Sequence, residues 1–577
     1  MRFGKIDLNQ QVNPAILDTA TWDEAGVVRI LSVEEQGYWT LLREKLESGT
    51  VLPTSKRIQP YLGSVAQSAS THFCLAGLPD GQYVFLEIGT RVGMAKPGTP
   101  LVNIQLDQGY FLKAYSTSAA TIDYYCQSLR PDKGPRVLGA QPRLGIGTRM
   151  SAAMLPGSYR AMHIGGIVAN PIQNSVRELE LLDNILAGRT PDAIYYPGFG
   201  TIESGHTGST FEGLWVYGVL EALKSEGRPV YGADADHIKI ADGADGLGHA
   251  KQVVAASRYY TFYTLDISAG LDYAALNVRS SAEANALLES RIPSPMERQA
   301  IVAYHRQERR LGGITYQPDD ATLGGLVGKY WDALSAIEKL VAEIRRVRRE
   351  RGFDLEFSMD ERPPGIETCA CITTNEEVVF VLLEAQRRGL PLTHLAPNFG
   401  VEKGLDYRCP GGLTALARRI TTQYRIANEF DALLDFHSGD DLSQATRRVI
   451  ALATSGRNHF KIAPQPQIMF AETVRDYYSD LFRTWWNESL AYAQREASYS
   501  KFAADCIREY QASPEASPSP TDSIFHNFGF SFVGKRDAQG QYVNREKLYG
   551  LSPEFYREYQ DRLVQYYCGL AQDLFTV

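Results

Sequence analysis

The stretch "VYGADADHIK", Val230 to Lys239, decides how this chain is read. It opens with a β-branched and an aromatic residue, meets a Gly, and then delivers Asp234, Asp236 and His237 in close succession, the pattern of a strand that ends in polar groups. Two carboxylates and an imidazole at the mouth of a strand need a cavity to serve. On both sides of it, short runs ending in Gly, Asp, His or Pro recur from about residue 143: "RLGIGT", "AIYYPG", "PVYGADADHI", "YYTFYTLDIS", "DLEFSMD", "LTHLAPN", "LLDFHSG" and "HFKIAP". Between most of them lie amphipathic stretches such as "NSVRELELLDNILAG", "TFEGLWVYGVLEALKSEG" and "NEEVVFVLLEAQRRG", several followed by a Gly where a helix would stop. Eight strands alternating with helices predict an α/β fold, a (β/α)8 TIM-like barrel with insertions; a doubly wound sheet is the alternative.

The barrel occupies 136–475, with a helical insertion at about 270–350. Residues 1–135 read as a small N-terminal α/β domain, in which "GLPDGQYVFLEIG" is a hairpin strand entered through an Asp-Gly turn. Residues 476–577 read as a helical C-terminal extension, interrupted by the Pro/Ser loop "ASPEASPSPTDS".

Composition narrows the function. The 577 residues are 44% hydrophobic, with 59 Lys and Arg against 67 Asp and Glu. No apolar run is long enough to span a bilayer, so no membrane partner is expected. The net charge of -8 and the lack of a basic block argue against nucleic acid. "EIRRVRRERG", Glu343 to Gly352, reads as a solvated helix face. The N-terminus lacks the apolar block of a signal peptide, which makes a cytoplasmic location the expectation. Seven cysteines, with only Cys369 and Cys371 close together, read as buried thiols and not as a zinc ribbon or a disulfide framework.

In a (β/α)8 barrel the C-terminal strand ends face one cavity. Here the third strand ends in Asp234, Asp236 and His237, the fifth in Asp360 and Glu361, the seventh in His437, and the eighth begins with His459. Each histidine alone reads equally well as a hydrogen-bonded structural residue. Together, three of the chain's ten histidines at strand mouths make His237, His437 and His459 the candidate ligands of a divalent metal, with zinc, manganese and nickel all compatible. Asp236 and Glu361, on different strands, are the natural acid and base to flank a substrate. The plainer readings are that Asp236 orients a histidine and that Glu361 starts a helix. Asp234 and Asp360 fit supporting roles. On a regularly alternating strand, Asp234 shares a side with Asp236, whereas Asp360 points away from Glu361. Arg149, Lys239 and Lys461, near strand mouths, are the cations available to a substrate carboxylate.

The blocks "PRLGIGTRMSAAMLPGSYRA", "NSVREL", "GADADHIK", "YTLDIS", "FSMDE", "LAPNFGVEKGLDY", "FHSGDD" and "NHFKIA" resemble, in their order, blocks of the tagaturonate epimerase family. The resemblance runs over about residues 142–475. It implies a metal-dependent isomerase acting on tagaturonate and fructuronate, or on the matching ketohexoses tagatose and fructose. It also implies Asp236 as proton acceptor, Glu361 as proton donor, and His237, His437 and His459 as metal ligands. The chain departs from the family at "SGDDLS" and "KIAPQPQ", and "PGFGTIESGHTGST", Pro197 to Thr210, reads as an insertion. The inverted carbon in such sugars lies two from the ketone, so either retro-aldol cleavage with re-addition or iterated proton transfer serves. "RLGIGTR" lacks the third Gly of a dinucleotide fingerprint, so no nicotinamide is expected. The competing readings are a metal-dependent sugar aldolase or lyase and a non-catalytic sugar-binding protein. A homo-oligomer is compatible with the sequence.

Overall fold

Eight strands close into a barrel in the order β1 (Arg143–Ile146), β2 (Ala169–Ser175), β3 (Tyr231–Lys239), β4 (Phe262–Asp266), β5 (Asp354–Ser358), β6 (Leu392–Ala396), β7 (Leu433–Phe436) and β8 (Asn458–Ile462). Parallel ladders run from β3 through β8 and from β8 to β1. The structure is a computed structural model and describes residues 2–3, 6–7, 23–79, 81–90, 98–175, 193–196, 200–203, 209–240, 243–360, 366–401, 406–437, 439–512, 517–535, 537 and 543–576. The chain divides into two compact units, one of residues 1–136, 148–231 and 464–568, the other of 137–147, 232–463 and 569–577.

Seven of the eight barrel strands are those the sequence pattern predicts. The exception is the second. "AIYYPG" does form a strand, Ala193–Tyr196, but it pairs antiparallel with Gly200–Glu203 in a separate hairpin. Its place in the barrel is taken by "ANPIQNS", Ala169–Ser175. That segment carries Pro171 and buries Asn170, Gln173 and Asn174, features that ordinarily argue against an interior strand.

Local chemistry sets the helices between strands. Thr210 caps the helix Phe211–Lys224 by accepting from the Gly213 amide. A reciprocal capping box of Thr374 and Glu377 starts the helix Asn375–Arg387, which stops ahead of Gly389 at φ 64°. The stretch "NSVRELELLDNILAG" lies almost wholly outside the described residues.

Between β4 and β5 stand the helices Ser281–Arg291 and Pro295–His305, a short hairpin, and the 28-residue helix Asp320–Val347. A Cβ on Gly324 of the long helix would fall 2.5 Å from that of Ala284, so only glycine permits this approach. At its end the basic run is not wholly solvated as expected. Arg346 is exposed and pairs with Glu343, but Arg348 turns inward and donates to the Tyr260 and Gly352 carbonyls.

The N-terminal region carries an antiparallel sheet whose central hairpin, Thr71–Gly77 with Tyr83–Gly89, is the one read from the Asp-Gly turn. Alternation sends Val84, Leu86 and Ile88 into a core with Leu31, Trp39 and Leu42 of two helices, while Phe85 stacks on Tyr125 at 4.3 Å on the other face. The C-terminal region is helical, with Trp485 donating to the Gly529 carbonyl and stacking on Phe532. Part of "ASPEASPSPTDS" lies outside the described residues.

Among the described residues, no helix is long and apolar enough to cross a membrane. The cysteine reading needs one correction. Cys369 and Cys409 form a disulfide, brought together by the loops that follow β5 and β6 and not by sequence spacing. Cys74, Cys126, Cys371 and Cys506 are buried thiols as expected.

Candidate active site

The inside of this barrel is not the stack of branched aliphatic side chains that usually fills one. Alternation along β5 puts Asp354, Glu356 and Ser358 on the same side, and all three are buried. At the N-terminal end Asp354 receives the Arg143 guanidinium at 3.0 Å and the Leu138 and Gly139 amides at 2.9 Å each. Above this floor the rings of Phe262, His394 and His459 pack within 4.8 to 5.3 Å of one another. Burial, with Arg143 and Lys461 nearby, holds both imidazoles well below their ordinary pKa, so each is neutral.

Lys461, two residues beyond His459 on β8, reaches the barrel axis. Its Nζ lies 2.8 Å from Glu356, 3.0 Å from Asp236, 3.2 Å from Asp234 and 3.8 Å from Asp435, and it donates to the Thr264 hydroxyl at 2.7 Å. Thr264 in turn lies 3.1 Å from oxygens of both Asp234 and Glu356. Burial opposes charge on Lys461, but the surrounding carboxylates outweigh it and hold the ammonium well above its usual range. Burial raises Asp234. Burial also acts on Asp236, yet Lys461, His237 and His437 outweigh it and keep that group below the usual carboxylate range.

The opening stretch owes its crowding to a bulge. Register slips between Ala235 and Ile238 where β3 meets β4, and His237 sits at φ 50°. A regular strand would send Asp236 and His237 to opposite faces; the bulge turns both inward. Asp236 meets Lys461, and His237 Nδ1 lies 3.5 Å from Asp266. The His237 ring packs edge-on against that of His437 at 4.9 Å. His437 stands between Glu356, 2.8 Å from Nε2, and Asp360, 3.1 Å from Nδ1. Burial lowers its pKa, but Asp360 and Glu356 prevail and raise it well above the ordinary imidazole value.

Three ligand atoms, one each from Glu356, Asp435 and His459, converge within 4.8 Å of one another. His459 Nδ1 and Asp435 Oδ2 are 2.7 Å apart, yet neither ring nitrogen of His459 and neither oxygen of Asp435 makes a hydrogen bond. Buried polar atoms without such partners are uncommon. Two carboxylates and a neutral imidazole suit a divalent cation, so the donor set fits one.

Asp236, His237, His437, His459 and Lys461 are therefore gathered inside one unit of the chain. Lys239 lies half-buried past the bulge, in register with Asp266. Arg149 lies past the end of β1, half-buried, in the other unit. Glu361 lies outside the described residues, as does part of the stretch Pro197 to Thr210. Glu356, Asp435, Thr264 and Asp266 were missed by sequence reasoning. Their signal was polar residues at every second position of otherwise apolar strands: Asp354, Glu356 and Ser358, then Asp435 and His437, then His459 and Lys461.

A closed parallel barrel with carboxylates, imidazoles and an ammonium along its strands is the frame of a barrel enzyme. The chain belongs to the tagaturonate epimerase family, whose model matches residues 124–564, and it is an isomerase. A tagaturonate/fructuronate epimerase of Thermotoga maritima is 26% identical over 379 residues, 65% of this chain and 68% of that protein. A fructuronate-tagaturonate epimerase crystal structure from Cohnella laeviribosi, complexed with two glycerols, shares the fold at a TM-score of 0.66 and 20% identity, covering 93% of this chain and 99% of that one. Its native form matches at a TM-score of 0.65 and 19% identity, covering 94% of this chain and 99% of that one.

Proposed function

We propose that the chain is a divalent-metal-dependent epimerase of ketohexuronates, interconverting tagaturonate and fructuronate, with the matching ketohexoses as the nearest alternative substrates. The observation that carries the metal is the crowding of acidic groups: the buried Asp234, Glu356 and Asp435 and the half-buried Asp236 all lie within 3.8 Å of a single ammonium. Buried charge on this scale needs a further positive partner. Glu356, Asp435 and His459 would hold the cation, with His437 adjoining through Glu356 and His237 packed on His437. Once bound, a divalent cation supplies Lewis acidity toward the ketone and stabilises negative charge on its oxygens.

The remaining roles fall to the chain's own groups. Asp236, the carboxylate of the Lys461 cluster that keeps 15% of its side-chain surface open, is kept ionised and takes the substrate proton. Glu361 follows Asp360 in the chain and is the proposed donor on the opposite face. Lys461 is 4% exposed and serves to balance the carboxylates; Arg149 and Lys239 are the proposed partners of a substrate carboxylate. The test is NMR of metal-loaded protein incubated with a panel of ketohexuronates and ketohexoses. Conversion of a ketohexuronate to its epimer is expected; faster turnover of the neutral sugar moves the substrate class, and cleavage into fragments makes the protein an aldolase.

A further inference from the structure

Asp360 is fixed at its side chain and at its main chain by different residues. Its Oδ1 accepts from the Ser358 hydroxyl at 2.6 Å, and its Oδ2 lies 3.1 Å from His437 Nδ1, an ion contact without hydrogen-bond alignment. Its backbone carbonyl accepts from the Asn398 side-chain amide at 3.1 Å. Asn398 stands just past the end of β6 and is 1% exposed. Its Oδ1 accepts from the Gly400 amide at 2.8 Å, and its Nδ2 also reaches Cys371 Sγ at 3.3 Å. A main-chain donor on one side and a main-chain acceptor on the other leave the amide a single orientation. The turn that delivers the Gly400 amide has φ 87° there, where glycine is the residue that fits without strain.

The segment that Asn398 grips is itself held. Asn398 N donates to the Thr373 hydroxyl at 2.9 Å, and the Thr373 amide donates to the Asn398 carbonyl at 3.0 Å. The Cys369–Cys409 disulfide joins the same two loops. These contacts would bind the loops together whatever the Asn398 side chain did. The hydrogen bond from the Asn398 amide to the Asp360 carbonyl differs from them: it anchors the main chain of the residue whose carboxylate meets His437.

We propose that Asn398 is a positioning residue of this site, holding Asp360 on His437 and so fixing the orientation of that imidazole. For catalysis the inference rests on the epimerase reading above; for the imidazole it does not. Direct partners that orient a metal-ligating histidine typically change activity or metal affinity by about 10–100-fold when removed, and Asn398 acts one contact further out, through Asp360.

The test uses Asn398→Asp and Asn398→Ala in the full chain, with Thr373→Val as a control that loosens the same two loops without touching the Asp360 carbonyl. Turnover of tagaturonate and fructuronate is measured beside the 15N imidazole shifts of His437. Asn398→Asp keeps the acceptor for Gly400 and places an acceptor against the Asp360 carbonyl. Its kcat should fall about 10–100-fold with KM within about threefold, and the His437 signals should move, whereas Thr373→Val should do neither. Unchanged kcat and His437 signals in both Asn398 variants overturn the proposal, as does an equal loss in Thr373→Val. Should the wild type turn over no ketohexuronate, the epimerase reading fails and the His437 signals alone decide the positioning role.

Discussion

A single bulged residue gives the site its character, because His237 at φ 50° lets neighbouring residues of one strand share one face. The consequence is a separation of tasks that substitution can reveal. Asp236 contacts Lys461 and stays ionised beside the open side of the cluster, whereas Asp435 is buried against His459 and has no hydrogen bond. Asp236→Asn should therefore keep its metal and lose turnover by about two to four orders of magnitude, the usual worth of a general acid or base. Asp435→Asn should lose metal first and activity as a result. Elemental analysis of both purified variants beside steady-state rates checks this. Metal loss in Asp236→Asn that excess metal repairs would make Asp236 a ligand, and retained metal in Asp435→Asn would remove Asp435 from the cation.

At the scale of elements, the strands with β-branched or aromatic cores were readable, and β2 was not. "ANPIQNS" hides its role because Pro171 and its buried amides carry no apolar signal, while "AIYYPG" has the propensity of a strand and is one, in another pairing. The site was half legible for a related reason. Histidines at strand ends stand out by rarity, but Glu356 and Asp435 lie mid-strand, where only the alternation betrays them. The helix Asn375–Arg387 carries a buried carboxylate whose hydrogen-bond partners favour the folded structure. Its Glu384 is fully buried, accepts from Arg387 at 2.8 and 2.9 Å and from Arg388 at 3.0 Å, and meets His305 Nε2 at 2.9 Å. Burial raises its pKa, but these hydrogen bonds outweigh burial and hold it down to about 2. A carboxyl depressed in the folded state adds stability above its unfolded pKa of about 4.3 and loses it as pH falls toward the folded value. The contribution is on the order of 3 kcal/mol. Glu384→Gln should thus destabilise the chain at pH 7 and flatten its loss of stability between about pH 4.5 and 2, as followed by denaturant midpoints across that range. A wild-type and variant difference that does not change with pH would refute the assignment.

For the molecule as a whole, the carboxylate excess links metal to stability. Acidic groups crowd around Lys461, Asp234 with its pKa raised by burial, and a cation that binds the folded chain relieves the repulsion among those that are charged, where the unfolded chain offers no formed site. Mass action then fixes the size of the effect: free metal at 100 times its dissociation constant stabilises by about 2.7 kcal/mol. In a chain of this length that amounts to an increase of about 2 °C in Tm, because the unfolding entropy grows with residue number. Chelator-treated protein should accordingly melt lower, and titrated divalent metal should raise Tm as the logarithm of its concentration. Asp435→Asn, which lacks one of the three converging ligands, should show little of that rise. A wild-type Tm that stays constant from chelator to excess metal would leave the buried carboxylates to be balanced by protons and Lys461, and the metal centre would be lost with it.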